Sequence, residues 1–63
     1  MSAEAEAYDR FYILTKDRNP DASHASIADT VQRTLDAFRS QGHDGDALAA
    51  IVSRLLSQHR EGL

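Results

Sequence analysis

The residues with the most chemical potential are three histidines: His24, His43 and His59. The chain has no cysteine, which excludes a cysteine-based zinc site and leaves these imidazoles as the candidate zinc ligands. A shared site would need them to converge. In a helical chain folded back on itself, His24 and His59 fall near one end and His43 in a turn at the other. At 1.5 Å of rise per residue that separation is about 25–30 Å, so no metal site is expected. Asp44-Gly45-Asp46 has the opening pattern of a calcium loop, but such a loop needs a bidentate glutamate at its twelfth position. Counting from Asp44 or Asp46, that position is Leu55 or Ser57. A polar turn with a helix cap accounts for all three residues. No Gly-x-Ser-x-Gly elbow surrounds any serine, and Gly42 and Gly45 match no phosphate-binding fingerprint. The expectation is a protein with no catalytic residues and no cofactor.

The aromatic residues point elsewhere. Tyr8, Phe11 and Tyr12 cluster in a stretch, Tyr8 to Leu14, that is apolar nearly all round, and Phe38 is the only other aromatic. If that stretch is helical, one face packs on the rest of the chain and a second is left uncovered. Exposed apolar faces mark interaction sites, and interfaces are enriched in aromatics with a polar handle. Tyr8, Phe11, Tyr12 and Leu14 are therefore the candidate residues for binding a partner.

Sixty-three residues make a single domain at most, here taken as 1–63. Ten of the hydrophobic residues are alanine, and fifteen large apolar side chains remain besides Met1. A domain of this size buries only about 60% of its unfolded surface, and small domains commonly lean on disulfides, metals or a partner subunit. Without cysteine or a metal site, homo-oligomerisation is the expected support. The net charge of −3 comes from interspersed acids and bases, which favours solubility over diffuse binding to nucleic acid. No apolar run is long enough to span a membrane, and the acidic start, Met1 to Glu6, is not a secretory signal. A cytoplasmic protein is expected, and six arginines to one lysine suggest a GC-rich bacterial or phage gene.

Two punctuation points divide the chain. Asn19-Pro20 ends what precedes it, because the residue before proline is pushed out of the helical region. Asn19 as N-cap with Pro20 at the first helical position predicts a helix start there, with Ser23 or Ser26 as later alternatives. Gly42 suits the left-handed position that closes a helix, and Asp44 or Asp46 can cap the next. Between these points, Ile27, Val31, Leu35 and Phe38 recur with helical period. After them, Leu48, Ile51, Val52, Leu55 and Leu56 do the same. These nine residues are the expected oligomer core, with Leu35 and Leu55 at the centres of their stripes. Helices are predicted over 20–41 and 46–60.

The segment 1–17 decides between two readings. Alanine-rich Ala3 to Ala7, with Ser2 as a possible cap, favours helix. Arg10 to Thr15 is nonetheless rich in strand-formers. As helix, it completes an all-α bundle, a helical hairpin plus an N-terminal helix, made whole by self-association. That fold fits a small regulator, adaptor or inhibitor acting through protein–protein contact. As strand over 9–16, the order strand, helix, glycine turn, helix resembles the ribbon-helix-helix family of dimeric DNA-binding repressors. The resemblance implies that Arg10, Tyr12 and Lys16 contact DNA from the paired strands. Nucleic acid is a partner only on this second reading.

Overall fold

A computed structural model of the chain describes residues 2–62, which form α1 (Ala3–Arg18), α2 (His24–Ser40) and α3 (Gly45–Glu61) with no strand among them. Each helix starts behind a side-chain cap on extended backbone. Ser2, Ser23 and Asp44 accept hydrogen bonds from the N–H groups of Ala5 (3.1 Å), Ser26 (3.2 Å) and Ala47 (2.9 Å). Each cap satisfies an orphan donor of the first turn and is worth about 1 kcal/mol.

Residues 9–16 lie inside α1, so the strand that the ribbon-helix-helix resemblance requires does not form. Strand propensity in Arg10 to Thr15 is overridden because α1 buries Ala7, Leu14 and Thr15 at helical spacing. A second correction concerns Asn19, which closes α1 instead of opening α2. Its N–H donates to the carbonyls of Thr15 (3.0 Å) and Lys16 (3.2 Å), and its side-chain amide also donates to Thr15 (3.1 Å). The cap carries φ −135° and ψ 66°, outside the helical region, as a residue before proline must. A turn from Asn19 to Ala22 follows, closed by the Ala22 N–H on the Asn19 carbonyl, and α2 begins only at His24.

The end of α2 is a Schellman closure. The Gly42 N–H reaches the Arg39 carbonyl (3.0 Å) and the His43 N–H reaches that of Phe38 (3.2 Å), with Gly42 at φ +96°. The apolar contact that accompanies this motif is the His43 ring set edge-on to Phe38, with centroids 5.9 Å apart.

Three pairs of residues set the helix directions. Close to the N-terminus of α1, Glu4 packs on Gly45 at the start of α3, so tightly that a Cβ there would sit 3.0 Å from the Glu4 side chain. Halfway along, the Arg10 guanidinium donates to the Ser53 hydroxyl. At the far end, His59 lies near Asp17. Thus α1 and α3 run parallel. α2 runs antiparallel to α1, since Arg39 pairs with Glu4 (3.3 Å) at one end and His24 meets Tyr12 (2.7 Å) at the other.

α1 packs chiefly on α3, less on α2, and α2 and α3 touch least. The bundle is therefore organised around α1, where the sequence suggested a hairpin of the second and third helices with α1 laid across it. Ala7, Ile27, Val31, Leu35, Leu48 and Val52 form the core, with Tyr8, Phe11, Tyr12, Ala22 and Phe38 packed against it. No helix among the described residues is long and apolar enough to cross a membrane.

The exposed Asp29–Arg33 pair (3.1 Å) decorates α2 one turn apart. Exposed pairs contribute little. Arg33→Ala is expected to leave stability within about 0.5 kcal/mol of the parent in urea denaturation.

Candidate interaction surface

Among the described residues, no group of three or more His, Cys, Asp or Glu side chains could hold a metal ion. His24 and His59 stand at one end of the bundle and His43 in the turn at the other, and each has a local role. His24 Nδ1 shares a 2.7 Å hydrogen bond with the Tyr12 hydroxyl, the rings 5.3 Å apart. His43 covers Phe38. His59 sits in the last turn of α3, where the helix dipole favours a positive group. Its Nε2 is buried with no hydrogen-bond partner among the described residues, and the Asp17 carboxylate is 3.9 Å away, beyond hydrogen-bond reach.

The aromatic residues of α1 are largely occupied inside the bundle. Tyr8, Phe11 and Tyr12 are half-buried against the core, and Tyr12 also carries the hydrogen bond to His24. Leu14 is 2% exposed and offers a partner no surface. The large apolar side chain that α1 does expose is Ile13, at 43%. Because α1 packs on two helices rather than one, its buried arc is wide and takes in the residues that a single-sided packing would leave free. The residues read as DNA contacts are likewise engaged: Arg10 with Ser53, Tyr12 with His24, and Lys16 donating to the Pro20 carbonyl (3.1 Å).

The residues read as an oligomer core separate into two sets. Ile27, Val31, Leu35, Leu48, Val52 and Leu56 are buried within the single chain. Phe38, Ile51 and Leu55 are only half-buried. Leu48, Val52 and Leu56 form the buried stripe of α3, at spacings of four. Ser53 flanks that stripe on the α1 side, and helical periodicity puts Ile51 and Leu55 on the opposite flank. There α2 gives sparse cover, and an open groove of about 520 Å³ is lined by Ala50, Ile51, Arg54 and Leu55. Ile51 and Leu55 were legible as apolar at helical spacing. Their exposure was not, because it depends on how far α2 diverges from α3. Arg54 is the groove's one charged lining residue and has no carboxylate within 4 Å among the described residues.

A smaller hollow of about 220 Å³ lies between α1 and α3, lined by Arg10, Ser53, Leu56, Ser57 and Arg60. Its contents are accounted for by the Arg10–Ser53 tie and by Arg60 at the negative end of the α3 dipole.

Compared with known proteins, the chain matches no family model, no curated protein and no solved structure.

Proposed function

We propose that this chain is a self-associating protein–protein interaction module, a binding protein rather than an enzyme, which acts as a regulator, adaptor or inhibitor of another protein. The observation that carries the reading is the open flank of α3, where Ile51 and Leu55, half-buried and outside the core cluster, line a groove. A domain this small gains more from covering such a flank than a large one does, since its core alone supplies only a few kcal/mol. On this reading the self-association surface is the apolar flank of α3, while Tyr8, Phe11 and Tyr12 pack against the core.

The test is assembly. The protein is expected to sediment as a dimer, twice the 7.0 kDa chain, and to melt at a temperature that rises with concentration. Leu55→Asp places a charge in the groove and is expected to give a folded monomer whose melt no longer depends on concentration. A parent protein that sediments at 7.0 kDa at high micromolar concentration, with a concentration-independent melt, overturns the reading.

A further inference from the structure

The hollow of about 220 Å³ between α1 and α3 holds more hydrogen-bond donors than the chain itself uses. Its lining is Arg10 from α1 and Ser53, Leu56, Ser57 and Arg60 from α3. Ser53, Ser57 and Arg60 follow at spacings of four and three, so α3 carries them on one face. Long helical side chains lean toward the helix N-terminus, which brings Arg60 back over Ser57. Arg10 reaches the same place from α1, where its guanidinium donates to the Ser53 hydroxyl.

Arg10 passes over a local acid to get there. Glu6 stands four residues before it, the order that favours an ion pair within a helix. Asp29 and Arg33 make such a pair on α2 at 3.1 Å. Among the described residues, neither Arg10 nor Arg60 has a carboxylate within 4 Å. The serine hydroxyls are uncommitted as donors. Thr30, Thr34 and Ser40 each donate to the carbonyl four residues back, whereas Ser53 and Ser57 make no such bond among the described residues. Each guanidinium carries five N–H donors, and the tie to Ser53 occupies one of those on Arg10. The hollow is thus rich in donors, and no carboxylate lines it.

From this donor set we infer that the hollow is a binding site for a phosphoryl dianion, as a phosphomonoester or as free phosphate. Charge selects among oxyanions. A phosphomonoester carries about −1.5 to −2 at neutral pH, which two guanidinium groups match, whereas a carboxylate leaves one arginine unneutralised. The planar fork of arginine meets phosphate oxygens in pairs, and the two hydroxyls add further donors. Size agrees. Pockets for drug-sized ligands run about 300–1,000 Å³, so this hollow takes a phosphoryl head and leaves the rest of the ligand outside. The negative end of α3 opposes an anion, but that field fades within the last turn, and Ser53 and Ser57 precede the His59–Arg60 turn. The site lies on the other flank of α3 from the apolar groove and does not depend on self-association.

The experiment is an amide NMR titration of the full chain at neutral pH and low salt, with glycerol phosphate, glycerol, inorganic phosphate and acetate as probes. Glycerol phosphate is expected to move the signals of Ser53, Ser57 and Arg60 with millimolar affinity, and glycerol to leave them in place. Inorganic phosphate shares the dianionic head and is expected to act on the same residues. Whichever of the two phosphates binds more tightly identifies the source of the phosphoryl group. Acetate is expected to bind at least about tenfold more weakly. Arg60→Gln is expected to weaken glycerol phosphate binding about tenfold, the loss of one charge-assisted contact. Arg60 has no ion pair within the described chain, so this variant keeps the fold, which circular dichroism confirms. Arg33→Gln removes the same charge from α2 and is expected to bind like the parent. Three results overturn the site: neither phosphate moves those signals, acetate binds as tightly as glycerol phosphate, or Arg33→Gln weakens binding as much as Arg60→Gln. The last would mark diffuse attraction to a basic surface.

Discussion

Leu35→Ala and Leu48→Ala are each expected to remove about 2–5 kcal/mol of stability, enough to populate the unfolded chain at room temperature. Both side chains are essentially inaccessible, at 1% and 0% exposure, and both belong to the central core cluster. Truncation forfeits the transfer energy of the lost methyl and methylene groups and leaves a cavity that a bundle of three helices only partly closes. The consequence is severe because little stability is available: at about 0.05–0.15 kcal/mol per residue, a chain of this length holds about 3–9 kcal/mol. Leu55→Ala is the informative contrast. The sequence places Leu55 at the centre of the α3 stripe, but it is only half-buried, on the flank of the groove. Its truncation is expected to cost clearly less at low protein concentration, where a dimer does not contribute. Urea denaturation at low micromolar concentration separates the cases. Equal losses at Leu48 and Leu55 would place the core of α3 on a different face.

Gly42→Ala is expected to cost about 1–2 kcal/mol by the same measurement. Gly42 carries φ +96°, a conformation in which a Cβ crowds the following carbonyl. Beyond Gly42 itself and its two chain neighbours, no atom lies within 4 Å of where that Cβ would sit, so the penalty comes from the local backbone and not from a collision with a packed neighbour. The Schellman bonds to Arg39 and Phe38 hold the residue there and prevent it from relaxing. An alanine variant as stable as the parent would mean that the turn between α2 and α3 adopts another closure at no cost. Gly45 differs in kind: its backbone is ordinary helix, and what a side chain would meet is the flexible side chain of Glu4.

Much of the architecture was written locally. The period of Ile27, Val31 and Leu35, and of Leu48, Val52 and Leu56, states two helices and their buried faces, because burial in a helix repeats every three to four residues whatever the helix packs against. Gly42 and Asp44 announce the turn between those helices, since a left-handed closure and an N-cap are properties of a few adjacent residues. The role of Asn19 was less legible. A residue before proline is compatible with ending one helix or capping the next, and the choice fell to Ser23, whose hydroxyl caps α2 four residues later.

What tertiary structure alone decided is which apolar residues are left over. Residues 9–16 carry the β-branched and aromatic side chains of a strand, yet they are helix because α1 is the element that both other helices pack upon. Serving two neighbours widens the buried arc of α1 until it takes in Leu14 and most of Tyr8, Phe11 and Tyr12. Meanwhile α3, which shares little contact with α2, leaves Ile51 and Leu55 half-buried beside a groove, outside the core cluster. A sequence states how many faces of a helix are apolar. Which of those faces meets a neighbour depends on how the helices cross, which is set by contacts between residues far apart in the chain, such as Glu4 with Gly45 and Tyr12 with His24.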